Sequence, residues 1–79
     1  MKVGIGFIRG DWAIFEEVGT EAVCVVIDRR EHGGMVFYDL SPIIQAKWNK
    51  RGLSPGTPFT VGIRLDCADN ASWSLRNVF

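Results

Sequence analysis

Ala22-Val23-Cys24-Val25-Val26-Ile27-Asp28 is the stretch on which the fold turns. It is apolar on both faces of an extended chain, so it reads as a central strand or as a strand with one face against another subunit. Gly19-Thr20 makes a tight turn before it, and Arg29-Arg30-Glu31-His32-Gly33-Gly34 makes a polar turn after it. Residues 35–40 are again apolar on both sides, Met35 and Phe37 against Val36, Tyr38 and Leu40.

Upstream, Val3, Ile5 and Phe7 alternate with Gly4 and Gly6, as in a strand with one apolar face. Glycine at two outward positions marks a bulge, a bend or the close approach of another backbone. Arg9-Gly10-Asp11 is a turn signal. Residues 12–18 fit two templates. Trp12, Ile14 and Glu16 alternate as in a strand, while Trp12, Phe15 and Val18 fit two turns of helix between Asp11 and Gly19. Their aromatic and branched content favours the strand.

Downstream, the local signals agree on a helix at about 42–51 within 41–52. Ser41 is an N-cap and Pro42 falls at the first helical position. Ile43, Ile44 and Trp48 form one stripe, expected to seal the sheet, and Lys47, Lys50 and Arg51 suit the negative end of the dipole. Gly52 can end the helix in the left-handed conformation, with Leu53 reaching back over Trp48. Ser54-Pro55-Gly56-Thr57 reads as a type II turn. Phe59, Val61, Ile63 and Leu65 then alternate with polar residues or glycine, and Trp73 and Leu75 alternate in a closing strand that reaches Phe79. Those two strands are expected to pair as an antiparallel hairpin.

The predicted fold class is α+β, in the order β-β-β-β-α-β-β. Short connections favour antiparallel pairing, giving a small, strongly curved sheet or partly open barrel closed by one short helix. Gly10-Asp11-Trp12-Ala13-Ile14-Phe15, followed by an apolar strand, resembles the small SH3-like barrels over two or three residues. The resemblance implies the barrel outline and no function.

Seventy-nine residues predict a single domain with a thin core. An apolar content of 47% on so small a body is hard to hide in one monomer, which points to a homo-oligomer. Residues 1–40 carry Lys2, Arg9, Arg29 and Arg30 against Asp11, Glu16, Glu17, Glu21, Asp28, Glu31 and Asp39. Residues 41–79 carry Lys47, Lys50, Arg51, Arg64 and Arg76 against Asp66 and Asp69. Strands that interleave in space would erase this asymmetry. Cys24 and Cys67 form no framework, and Cys24 inside its apolar run behaves as a small hydrophobe. No apolar stretch approaches the ~20 residues that span a bilayer, and no export signal is visible. A reduced, cytoplasmic setting is expected.

The chemical motifs are sparse. Arg9-Gly10-Asp11 matches an adhesion tripeptide and Asn70-Ala71-Ser72 a glycosylation acceptor, both without an export context. His32 is the sole histidine and needs a positioned partner for hydrolytic chemistry. Asp66, Asp69 and Asn70 lack the spacing, glycine and closing glutamate of a calcium loop. Glu16 and Glu17, as strand neighbours, point to opposite faces. No catalytic residue, metal or cofactor is expected. Trp12, Phe15 and Tyr38 are the candidate binding residues, since large aromatics are enriched in interface hot spots and ligand pockets. Arg29, Arg30, Lys47, Lys50 and Arg51 are candidate phosphate or nucleic-acid contacts.

The function expected first is a non-enzymatic binding or assembly module, homo-oligomeric through an apolar β face or edge, with a protein or small-molecule ligand and no membrane. A nucleic-acid-binding accessory protein using the basic residues is the alternative. A small enzyme with a site shared between subunits is the second alternative.

Overall fold

The computed structural model describes residues 4–78, apart from the side chains of Ala68 and Asp69. The strands are β1 (Trp12–Glu17), β2 (Thr20–His32), β3 (Met35–Pro42), β4 (Trp48–Asn49), β5 (Phe59–Arg64) and β6 (Trp73–Asn77). A 3-10 turn, Leu65–Asn70, lies between β5 and β6. The sheet is antiparallel throughout, in the order β5-β3-β2-β1-β6, with β4 also on β2 and no pairing between the two outer strands. It is an open, all-antiparallel sheet with almost no helix.

The 22–28 run is indeed central. β2 spans thirteen residues and pairs with three strands. Its alternate residues Thr20, Ala22, Cys24 and Val26 face the core. They meet Ala13 and Phe15 of β1, Val36, Tyr38 and Leu40 of β3, Val61 of β5, and Trp73 and Leu75 of β6. A register shift between Val26 and Asp28 places a bulge at Ile27. Bulges bend a strand and increase its twist, so a single long strand can serve both halves of a curved sheet. Residues 12–18 resolve in favour of the strand.

Three expectations are corrected. The helix at 42–51 does not form. Ser41 and Pro42 instead prolong β3, opposite Val25 and Cys24. The amides of Ile43, Lys47 and Lys50 then donate to the carbonyls of Val23, Glu21 and Gly19, along the edge of β2. A ten-residue helix is marginal alone, and the four residues of β2 that run past the end of β3 offer those amides better partners. Gly52 does take a left-handed φ of 78°, but in a tight turn. Its N–H bonds the Asn49 carbonyl at 3.1 Å. The Asn49 side chain, not Trp48, secures Leu53, through bonds of 2.6 and 2.7 Å to its N–H and carbonyl.

The hairpin between the last two strands is also absent. β5 pairs with β3, and β6 returns across the molecule to β1. Finally, the strand at 3–7 is not part of the ladder. Val3 lies outside the described residues. Gly4 passes so close to β6 that a Cβ on it would stand 2.7 Å from the Leu75 carbonyl oxygen, the close backbone approach that glycine permits. The type II turn is present, with the Thr57 amide bonded to the Ser54 carbonyl at 3.0 Å and Gly56 at φ 79°.

Candidate functional site

Residues directly opposite in a ladder share a face, so the outward face can be read from the register. Trp12 lies across from Val25, Ile14 across from Val23, and Glu16 across from Glu21. On the far side of β2, Ile43 bonds to Val23 and Trp48 stands across from Glu21. Trp12, Ile14, Val23, Val25, Ile43 and Trp48 therefore form one apolar face on the outside of the sheet. Trp12 is 56% exposed and Trp48 62% exposed, while the aliphatic residues between them are half-buried. The two indoles are four β2 positions apart, about 13 Å along the strand at ~3.3 Å per residue.

One end of this face is polar. Arg76, opposite Ile14 on β6, is ion-paired with Glu16 and lies 3.6 Å from Glu21. Those carboxylates hold the Arg76 guanidinium firmly in its charged form. The lysines beside Trp48, Lys47 and Lys50, are exposed.

The structure separates the predicted binding residues. Trp12 is on the surface. Phe15 and Tyr38 are fully buried. Phe15 packs edge-on to Phe59 with centroids 5.1 Å apart. Tyr38 anchors the N-terminal segment, its hydroxyl donating to the Phe7 carbonyl and accepting from Arg29 Nε, each at 3.3 Å. The three share no surface.

Three of the five basic candidates are committed to internal partners. Arg29 also bonds the Ile5 carbonyl at 3.1 Å and the Glu31 carboxylate at 2.8 Å. Arg30 pairs with Asp39 and lies 3.4 Å from Asp28. Arg51 lies 5.4 Å from the centroids of both Phe15 and Phe59 and 2.9 Å from Glu17. Lys47 and Lys50 make no ion pair among the described residues. The charge asymmetry of the sequence is largely consumed here, since Arg76 meets Glu16 and Glu21, and Arg51 meets Glu17.

Other chemistry is thin. His32 is exposed at the end of β2 beside Gly33. Among the described residues no three His, Cys, Asp or Glu side chains gather as metal ligands. No buried side-chain nitrogen or oxygen there lacks a partner. Of the calcium-loop candidates, the Asp69 side chain lies outside the described residues, and Asp66 bonds Arg64 at 2.8 Å. Burial pushes the Cys24 thiol up to about 12. An open hollow of about 410 Å³ beside β6 is lined by Gly4, Gly6, Phe7, Asp11, Arg76 and Asn77. No described helix is long and apolar enough to cross a membrane.

The aliphatic members of the outward face, and Trp48, were not among the predicted binding residues. Their signal was the two-sided apolarity of 22–27, which called for a second covering surface. No protein-family model, curated protein or solved structure matches the chain.

Proposed function

We propose that the chain is a non-enzymatic binding and assembly module whose working surface is the outward face of β1, the first half of β2 and β4. The observation that carries this reading is the pair of exposed tryptophans, Trp12 and Trp48, flanking an aliphatic centre. Exposed apolar area is unfavourable by about 25 cal/mol per Å², and a partner that covers it recovers that free energy. Tryptophan is also the residue type most enriched in hot spots. The rim at Glu16, Glu21 and Arg76 is already ion-paired, so docking strips no lone charge there.

Size narrows the partner. Three strands by three outward rows cover about 300 Å² at strand spacings of ~4.8 Å and a rise of ~3.3 Å per residue. Each side of a standard interface buries about 800 Å². The face thus suits one apolar segment of another protein chain, and a homo-oligomer would need further surface.

A random-peptide display selection tests this, with wild type and the Trp12→Ser/Trp48→Ser double variant as targets. Apolar, aromatic-bearing peptides should be enriched on wild type and bind the folded double variant at least about tenfold more weakly, a loss of ~1.4 kcal/mol. Equal binding to both, or no enrichment, removes the reading.

A second reading is single-stranded nucleic acid, favoured by one observation, Trp48 standing between exposed Lys47 and Lys50. Glu16 and Glu21 on the same face oppose it. Retention of mixed oligonucleotides at low salt, lost on Trp48→Ser, would favour this second reading.

A further inference from the structure

An open sheet has two outer edges, and here they differ. Backbone groups alternate in direction along a strand, so the ladder fixes which residues of an edge strand point away from it. The Leu65 amide donates to the Gly34 carbonyl at 2.9 Å, one step past the Arg64–Met35 pair. Counting back, Phe59, Val61 and Ile63 turn their N–H and C=O groups to β3. Those of Thr60, Gly62 and Arg64 point outward. On the opposite edge, the Val26 amide bonds the Asp11 carbonyl, and the same count turns Leu75 of β6 outward. There the backbone at Gly4 closes over the Leu75 carbonyl. At Leu75 the β6 edge is shielded by its own chain, whereas among the described residues β5 pairs with no strand but β3.

We propose that the β5 edge is the interface for a second copy of this chain, the two β5 strands pairing antiparallel about Gly62. The proposal rests on the assembly half of the reading above and locates it at an edge, away from the two tryptophans. A two-fold interface must be self-complementary, and β5 is. With Gly62 opposite its own counterpart, Thr60 falls opposite Arg64 of the partner subunit, and the outward groups make about six N–H···O=C bonds. Val61 and Ile63, on the core side, then meet across the seam.

Charge agrees with this register. The Thr60 hydroxyl donates to Asp39 at 2.6 Å, and Asp39 and Asp28 share only Arg30. An Arg64 guanidinium arriving opposite Thr60 faces that acidic cluster, and the pair it would give up, with its own Asp66 at 2.8 Å, is exposed on both sides. β5 contains no lysine, no proline and no bulge, and its one charge, Arg64, is the group this register places against the acidic cluster.

Sedimentation velocity over a concentration series, with hydrogen exchange at the outward amides, tests the proposal. Wild type should dimerise at tens of micromolar and dissociate on dilution, and protection at Thr60, Gly62 and Arg64 should rise with concentration. Thr60→Pro removes an outward N–H without touching the β3 ladder, and Arg64→Glu turns attraction to Asp39 into repulsion. Each should raise the dimer Kd at least about tenfold while the circular dichroism spectrum stays unchanged. Trp12→Ser/Trp48→Ser should dimerise like wild type and lose only peptide binding. A wild type monomeric at every concentration overturns the proposal, as does a dimer that survives both edge variants or that vanishes with the tryptophans.

Discussion

The Phe37 ring occupies the space that a side chain on Gly62 would fill. The two residues lie directly opposite in the β3–β5 register, and a Cβ on Gly62 would come within 2.7 Å of Phe37 Cδ1. On the other side of Phe37, Arg30 sits 6.0 Å from the ring centroid. Phe37 is therefore roofed by its neighbours although it points away from the core. That is why the apolar run at 35–40 leaves no second sticky face, while the run at 22–27 leaves one. Pairing an aromatic across from a strand glycine is a known way to pin register.

Gly62→Ala should accordingly destabilise the fold by about 1–2 kcal/mol, the usual cost of crowding a packed site. Phe37→Leu in the same molecule should return part of that loss. A double-mutant cycle by chemical denaturation, run on dilute protein, reads the coupling, and strict additivity would show that the ring does not answer to the glycine.

Arg51 is a structural cation. It lies against Phe15 and Phe59 and reaches Glu17. Arg51→Ala should cost about 1–2 kcal/mol, and Arg51→Lys should recover less than half, because a lysine ammonium lacks the planar stacking surface. Thermal denaturation of the three proteins separates the outcomes, and a lysine variant as stable as wild type would leave only a charge role.

Tyr38 ties the segment before β1 to the sheet. Tyr38→Phe removes the bond to the Phe7 carbonyl and strands Arg29 Nε with one acceptor fewer. A stability loss of about 1 kcal/mol is expected, with faster amide exchange confined to residues 4–10. Exchange that rises evenly over the whole sheet would contradict a local tether.

The two thiols should differ sharply in reactivity. Cys24 is fully buried and its thiol is pushed up to about 12 by desolvation, whereas Cys67 is only partly covered. At pH 8 a thiol reagent should modify Cys67 alone in the native protein and both cysteines in denaturant. Equal native rates would mean that the core opens on the labelling timescale.

Asp39 gives the acid limb of stability a specific origin. The Arg30 guanidinium, then the Thr60 hydroxyl, hold its carboxyl below the ordinary value of 3.8. A carboxyl lowered on folding stabilises above its unfolded value, and the contribution fades as pH falls through the lower native one. Asp39→Asn should reduce the melting temperature near neutral pH and flatten its decline below about pH 4. Parallel curves for variant and wild type would reject this origin.

Much of the sheet was legible before the structure, for a physical reason. Period-two alternation in 59–64 reports which side of that strand meets the core, while 12–17 and 20–26 were readable as extended but apolar at both parities, which left their inward side to the ladder. Gly33, Gly34 and Gly56 at positive φ were readable as turns because no other residue enters that region cheaply. The segment 41–52 misled, although its cap, stripe, basic end and terminal glycine all agreed. Those signals describe a helix in water. They do not register that β2 runs four residues past the end of β3 and has backbone groups to satisfy.

The candidate site divided along the same line. The two-sided apolarity of 22–27 announced that some face would need covering, and Trp12 was already a candidate binding residue. Its companions depended on register, because Trp48 joins Trp12 only through the pairing of β4 with Glu21. Phe15 and Tyr38, equally aromatic in sequence, went inward by strand parity.

By itself, then, the sequence determined the extended segments of β1, β2, β3, β5 and β6 and the turns at glycine, since these depend on neighbours one or two residues away. Tertiary structure alone decided that 41–52 extends, that the last strand pairs with the first, and that β5 is left with an open edge. Each of those depends on where distant backbone donors and acceptors find partners, and that is a property of the whole ladder rather than of any window along the chain.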